Sequence, residues 1–203
     1  MLRSISCVKD LKQCGQGTFG VVYKGEEKET GIPIAMKKIR MENESQGFPV
    51  TAIREIKILK ALNHPNVVML REIMTCTDDT DSRFKSGDVF LVFEYGDYDL
   101  AGLLSYQMST STSTAEFQLD SQQIRSFMKQ LLDGISYMHK NNILHRDLKS
   151  ANVLVTKDNV LKICDLGLAR HYSRKSTRNR MSELVPTSWL YCNNISQTIL
   201  GRL

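Results

Sequence analysis

The side chains that first suggest chemistry are two carboxylates and an amide, Asp147, Asn152 and Asp165. A carboxylate can accept a proton from an incoming hydroxyl, and carboxylate and amide oxygens are the hard ligands that Mg²⁺ prefers. The pattern therefore predicts a general base, Asp147, beside a site for a metal ion and phosphate. Taken singly, each residue is ordinary, because an aspartate beside an arginine is usually a surface ion pair and an asparagine in a loop is usually a turn residue.

Three glycines near the start of the chain, Gly15, Gly17 and Gly20, form a second candidate site. Glycine lets backbone amides approach phosphate oxygens closely, because no Cβ blocks the approach. A β-prone run at 21–23 follows, whereas a dinucleotide-binding fold needs a helix directly after its glycines. The pattern favours a phosphate-covering loop over a dinucleotide site, and a plain hairpin turn is the alternative.

A lysine within an apolar run, Lys37, is the third candidate. Residues 32–39 are predicted to form a strand, and burying an unpaired ammonium there is costly, so Lys37 needs a carboxylate partner. Glu55 is the expected partner, on a helix that we expect Thr51 to cap. The apolar residues at helical spacing in that segment are Ile53, Ile56, Leu59 and Leu62. The alternative for Glu55 is a solvated helix face.

The stretch His145–Asn152, followed by Asp165-Leu166-Gly167, resembles the catalytic loop and metal motif of protein kinases. The glycine turn, Lys37 and Glu55 are similar to further motifs of that family, in the same order. Residues 49–55 resemble the signature helix of cyclin-dependent kinases, and residues 37–48 are similar to the transcription-elongation branch of those enzymes. The resemblance implies an α+β, protein-kinase-like two-lobe fold.

That resemblance also implies a division of the chain into three parts. The β-rich N-lobe, with one main helix, would occupy residues 1–96, and a partial helical C-lobe would occupy residues 97–170. Residues 171–203 would form a divergent activation segment and tail. No Ala-Pro-Glu anchor follows Gly167, so we expect the chain to be truncated after the metal motif, with the rest of the C-lobe absent.

The resemblance assigns a role to each candidate residue. Asp147 would be the catalytic base, Lys149 would steady the transferring phosphoryl group, and Lys37 paired with Glu55 would align the α- and β-phosphates of ATP. The remaining residues around ATP would be Gly15, Gly17, Gly20, Val22, Ala35, Phe93, Glu94, Tyr95, Asp99 and Leu154, and the Mg²⁺ ligands would be Asn152 and Asp165.

Three arginines, Arg54, Arg146 and Arg170, occupy the positions from which family members grip a phosphorylated activation segment. Guanidinium groups suit that task because they bind phosphate oxygens through paired donors. The family pattern, counted back from Trp189, places the phosphorylated residue at Ser182, with Thr177 and Thr187 as neighbouring candidates. The alternative is three unrelated surface arginines.

The resemblance implies ATP and Mg²⁺ as cofactors and a cyclin bound through the helix at 49–62. A lysine two residues after the expected base, Lys149, resembles the pattern of serine/threonine kinases. The substrate would therefore be a protein with serine or threonine hydroxyls. The elongation branch implies the RNA polymerase II tail as that substrate and the nucleus as the location. No direct nucleic-acid partner and no membrane partner is expected.

Composition agrees with an intracellular globular protein. A hydrophobic content of 41% supports a core, the net charge of +5 is modest, and no signal-peptide core or membrane-spanning run occurs. Five scattered cysteines without a Cys-x-x-Cys pair argue against a disulfide framework and a zinc site. The clearest predicted helix is 121–140, with a core-facing apolar stripe, and residues 73–86 are predicted to be an exposed loop.

Two hypotheses remain open from the sequence. The chain is either an active cyclin-dependent kinase or a truncated form that binds a cyclin or ATP without phosphorylating a peptide.

Overall fold

The computed structural model describes residues 3–17, 20–41, 47–77, 81–109 and 119–172. The chain divides into two compact units: unit 1 is Met1–Lys60 with Met69–Tyr95, and unit 2 is Ala61–Val68 with Gly96–Leu203. The expected phosphorylation site, Ser182, and all of the expected tail beyond Tyr172 lie outside the described residues.

Unit 1 is built on a six-stranded sheet in the order β1-β5-β6-β4-β3-β2. Its strands are β1 Arg3–Ser4, β2 Val8–Gly17, β3 Gly20–Glu27, β4 Pro33–Ile39, β5 Leu70–Thr75 and β6 Val89–Glu94. The predicted strands after the glycines and around Lys37 are therefore confirmed. Neighbouring strands are antiparallel, except that β1 pairs with β5 in parallel.

The register of this sheet separates its two faces. Val22 lies opposite Lys37, and Ala35 lies opposite Phe93, so these four side chains share one face. Met36, between them in β4, points to the other face and is fully buried there. Lys37 and the hydrophobic core of unit 1 therefore lie on opposite sides of one strand.

The prediction of an exposed loop at 73–86 is wrong at both Phe84 and the start of the segment. Strand β5 extends to Thr75, and Phe84 is only 2% exposed. Its ring packs edge-on against Tyr23 and Phe90, with ring centroids 5.1 Å apart in both pairs. A single aromatic residue in a polar stretch has no apolar period around it, so the sequence pattern did not predict its burial.

Helix α1, Val50–Ala61, differs from the prediction at two points. It begins before Thr51, which is therefore not the N-cap. Ile53, expected in the core-facing stripe, is 39% exposed. The side chains that the helix buries are Ala52, Glu55, Ile58 and Leu59. Glu55 is turned towards Lys37, and residues three and four positions further along the helix lie on the same side, which leaves Ile53 facing outwards.

Unit 2 contains helices α2 Leu100–Ser109 and α3 Ser121–Lys140. Its strands are β7 Tyr98–Asp99, β8 Ile143–Leu144, β9 Val153–Val155, β10 Leu161–Ile163 and β11 Arg170–His171. They form a three-stranded sheet, β10-β9-β7, and a two-stranded sheet, β11-β8. In the described parts of the chain, no helix is long and apolar enough to cross a membrane.

Helix α3 has the predicted bounds, and a capping box between Asp120 and Gln123 sets its first turn. Its apolar stripe is core only in part. Phe127, Leu131 and Met138 are buried, whereas Leu132 is 58% exposed. The apolar stripe covers more of the helix surface than the rest of unit 2 buries. Neighbouring positions 131 and 132 therefore differ sharply in burial.

Candidate active site

The glycine-rich stretch forms the end of the β2–β3 hairpin, where Gly17 pairs with Gly20. At Gly20 the backbone has a φ of +148°, and a Cβ would collide with the carbonyl oxygen of Lys38 on the neighbouring strand. Only glycine tolerates both conditions, so this end of the hairpin depends on residue type. Thr18 and Phe19, which follow Gly17 in the chain, lie outside the described residues.

Lys37 on β4 reaches Glu55 on α1, with Nζ donating to Oε1 at 2.8 Å. Both side chains are largely buried, at 12% and 8% exposure. The ion pair inferred from the sequence is therefore present. A lysine held this way presents a fixed ammonium on the sheet face that also carries Val22, Ala35 and Phe93.

In unit 2, Asn152 holds the carboxylate of Asp147. Its Nδ2 donates to Oδ2 of Asp147 at 2.9 Å and to the backbone oxygen of Asp147 at 2.7 Å. Lys149 approaches the same Oδ2 at 2.9 Å. Asn152 is buried, whereas the side chain of Asp147 keeps 19% of its surface exposed. The result is an oriented carboxylate that a hydroxyl can reach.

The β9–β10 hairpin brings Asp165 back to Asn152. Asn152 directly precedes β9, Asp165 follows β10, and Val153 pairs with Ile163. The backbone N–H of Cys164 also donates to the oxygen of Asn152 at 3.0 Å. The two expected metal ligands are thus neighbours, although many residues separate them in the chain.

His145 links the loop to the strand end, a role that sequence reasoning did not assign to it. Its Nε2 donates to the oxygen of Cys164 at 2.9 Å, because a carbonyl can only accept. Its Nδ1 accepts the N–H of Asp147 at 3.3 Å. Burial lowers the pKa of His145, which keeps the ring neutral and suited to both bonds. Its position directly before Arg146 and Asp147 was the available signal.

The donors in this loop fit a magnesium ion. Both hydrogen bonds from Asn152 to Asp147 use the amide nitrogen, so the amide oxygen is the atom that a cation could take. Asp165 supplies a carboxylate on the adjoining segment and adopts a left-handed backbone conformation with a φ of +60°. Amide and carboxylate oxygens are the donor types expected for Mg²⁺.

Residues 93–99 include the expected adenine and ribose contacts. Glu94 accepts the N–H of Met69 at 3.1 Å, and the ring of Tyr95 lies 4.1 Å from the ammonium of Lys24. Asp99 accepts the N–H of Gly102 at 2.7 Å, at the start of α2. The structure therefore shows a helix-capping role for Asp99, and its expected role at the ribose remains a prediction.

The three arginines have different settings. Arg54 lies on α1 in unit 1, while Arg146 and Arg170 lie in unit 2. Arg170 on β11 pairs with Leu144, two residues before Arg146, so those two arginines are on adjoining segments. Arg146 is exposed and has a left-handed φ of +72°. Their expected use as a phosphate grip remains a prediction.

Three features together define a class of protein. They are a buried lysine–glutamate pair on a sheet, a glycine hairpin at the edge of that sheet, and a loop in a second unit in which an amide orients a carboxylate. The model of the protein kinase domain family matches residues 8–196. The chain belongs to this family, and the expected α+β kinase fold is correct.

Within the family, the chain is similar to cyclin-dependent kinases. It is 47% identical over 187 residues to cyclin-dependent kinase 9 of Homo sapiens, covering 91% of this chain and 48% of that protein. It is 45% identical over 194 residues to cyclin-dependent kinase C-1 of Arabidopsis thaliana, covering 92% of this chain and 37% of that protein. The chain therefore spans less than half the length of these relatives.

Proposed function

We propose that this domain transfers the γ-phosphoryl group of ATP to a serine or threonine hydroxyl of a protein, as a cyclin-dependent kinase. The observation that supports this most is the pair of hydrogen bonds from Asn152 to Asp147. They orient the carboxylate of Asp147 through Asn152, which is itself an expected Mg²⁺ ligand, and phosphoryl transfer to a hydroxyl needs an oriented base near the metal.

Unit 2 contributes the chemistry. Asp147 accepts the proton of the substrate hydroxyl through its exposed carboxylate edge. Lys149 offsets charge on the phosphoryl group as it leaves ATP, and its distance of 2.9 Å from the carboxylate of Asp147 supports this role. Asn152 and Asp165 would hold Mg²⁺, which neutralises phosphate charge when it is bound.

Unit 1 contributes nucleotide binding. The fixed ammonium of Lys37 binds phosphate oxygens, and the glycine hairpin offers backbone amides to them. Val22, Ala35 and Phe93 form an apolar surface beside Lys37 that suits the faces of an adenine ring. The backbone of residues 94–96 supplies hydrogen bonds to the edge of the ring.

A cyclin is the proposed partner of α1. The helix exposes Val50 at 68% and Ile53 at 39%, two apolar side chains that a partner could bury. The names of the relatives state dependence on a cyclin for those proteins. We extend the proposal to Arg54, Arg146 and Arg170 as the grip on a phosphorylated segment, to the RNA polymerase II tail as substrate, and to the nucleus as location.

Cyclin binding without catalysis is the second candidate. Val50 and Ile53 belong to a helix of unit 1, whereas the catalytic loop belongs to unit 2, so cyclin binding through this helix does not require phosphate transfer.

The test is phosphate transfer by the purified chain, with a cyclin, to a polymerase-tail peptide. The matched control is Asp147→Asn, which keeps the shape of the side chain and removes the base. Activity in the parent and its loss in the control would support the kinase proposal. No transfer by the parent, with a stable cyclin complex, would support the second candidate, and equal transfer by both proteins would exclude Asp147 as the base.

A further inference from the structure

The side-chain amide of Gln130, on α3, closes a bridge around Leu161 at the start of β10, and every residue of this bridge belongs to unit 2. Its Oε1 accepts the backbone N–H of Leu161 at 2.8 Å and Nδ2 of Asn66 at 2.9 Å. Nδ2 of Asn66 also donates to the backbone oxygen of Leu161 at 2.9 Å. Because a backbone N–H can only donate, the oxygen of Gln130 is the atom that faces Leu161.

Strand β10 is also bonded at its other end to the segment that contains Asn66. The N–H of Ile163 donates to the backbone oxygen of Asn66 at 2.9 Å, and the N–H of Val68 donates to the oxygen of Ile163 at 2.8 Å. Leu161 and Ile163 are 1% and 0% exposed, so water could not replace these partners if they were lost. The backbone of β10 therefore depends on the bridge and on these two bonds.

Strand β10 is short and leads directly to the metal motif. It pairs with β9 over three residues, and Asp165 lies two positions after its last residue. A slip of one residue would turn every side chain of a strand to the opposite face, and so short a pair fixes its register weakly by itself. The contact from Gln130 holds the first residue of the strand in place.

We infer that Gln130 is a positioning residue for Asp165. The inference rests on the proposed function, in which Asp165 and Asn152 hold Mg²⁺. Gln130 takes no part in the chemical step, and it acts through β10, by holding Leu161 and thereby the segment that presents the carboxylate of Asp165. Groups that orient metal ligands without binding the metal typically change metal affinity or activity by about 10- to 100-fold when they are replaced.

The test compares ATP binding with and without Mg²⁺. Kd values for ATP are measured by calorimetry in excess Mg²⁺ and in excess chelator, on the parent chain and on Gln130→Met, which keeps the length of the side chain and removes the amide. We expect Gln130→Met to bind ATP about tenfold more weakly in Mg²⁺ and to stay within about twofold of the parent in chelator, because only the metal ligand is displaced. Gln122→Met is the matched control, an exposed glutamine on the same helix, and it should change neither Kd.

Two further variants separate positioning from general destabilisation. Gln130→Glu keeps the oxygen that accepts from Leu161 and loses only the bonds that Nε2 donates to Asn159 and Ser126, so its Kd in Mg²⁺ should stay within about threefold of the parent. Asn66→Leu breaks the bridge from its other side and should show the same loss, confined to Mg²⁺, as Gln130→Met. The two bridge variants test the inference independently, so it remains testable if one of them fails to fold.

Unchanged ATP binding in Mg²⁺ by the bridge variants, or an equal loss with and without Mg²⁺, would overturn the inference and leave the proposed function standing. A parent chain that does not bind ATP in excess Mg²⁺ would overturn both.

Discussion

The Nζ atom of Lys37 lies 2.8 Å from Oε1 of Glu55, in an ion pair that joins the central sheet of unit 1 to its helix. Removing one partner leaves the other charge largely buried and unpaired. Glu55→Gln should therefore destabilise the protein by about 1 to 3 kcal/mol in urea unfolding, and it should weaken phosphate transfer.

A second lysine–glutamate pair in the same unit offers the control. Lys9 and Glu26 are 2.7 Å apart, but their side chains are 46% and 37% exposed. Exposed pairs contribute about 0 to 1 kcal/mol, so Glu26→Gln should have little effect. Equal costs for the two substitutions would show that burial of the Lys37–Glu55 pair does not matter.

Asn152 should matter more for catalysis than for stability. Asn152→Ala removes both bonds to Asp147 and one expected metal ligand, so kcat should fall about 100-fold or more if Asp147 is the base. Asn141→Ala is the comparison, since Asn141 also donates to a backbone oxygen, that of Tyr137 at 2.9 Å, but at the end of α3. Steady-state kinetics with varied Mg²⁺ would check this, and comparable losses of kcat in both variants would contradict it.

The buried ring of His145 should make the stability of the protein depend on pH. Burial lowers its pKa in the folded state below the usual 6.5, so the unfolded chain takes up the proton first as pH falls. The contribution of the neutral ring to the free energy of unfolding should be fully present above about pH 7. It should decline as the pH falls below about 6.5. Urea unfolding at a series of pH values, from about 7 to below 6.5, measures how steeply the free energy of unfolding changes with pH.

Replacing His145 separates its contribution to the pH dependence of stability from that of other titratable groups. His145→Gln cannot titrate, so its stability should fall less steeply with decreasing pH, although the variant is less stable throughout. Burial also lowers the pKa of His139, which leaves a residual slope that His139→Gln should reduce. If the slope of His145→Gln matches that of the parent, His145 is not the group responsible.

Two adjacent leucines on α3 should respond differently to truncation. Leu131 is 3% exposed, and Leu131→Ala should cost about 2 to 5 kcal/mol because it leaves a cavity. Leu132 is 58% exposed, and Leu132→Ala should cost less than about 1 kcal/mol. Thermal and urea unfolding of the two variants would measure both values. A large cost at Leu132 would show that another surface covers that position in solution.

Several features were predictable because they depend on neighbouring residues. The bounds of α3 follow from its apolar period and from the Asp120 capping box, and the strand around Lys37 follows from its apolar run. The candidate residues of the catalytic loop could be named because their types and order match a known family. Their roles in binding and catalysis stay predictions.

Two of the predictions that were wrong concern Thr51 and Phe84. Thr51 has the chemistry of an N-cap, but α1 begins one residue before it. Phe84 sits in a polar stretch, yet two aromatic rings from distant strands bury it. At Phe84, packing against residues far along the chain outweighed the local preference.

The sequence by itself determined which groups are available for chemistry, and where the strands after the glycines and around Lys37 and the long helix lie, because these properties act over a few residues. Only the tertiary structure decided that His145 bonds both Asp147 and Cys164, and that Tyr23 and Phe90 cover Phe84. Such contacts depend on how strands and helices pack in three dimensions, and a local pattern of residue types does not encode that packing.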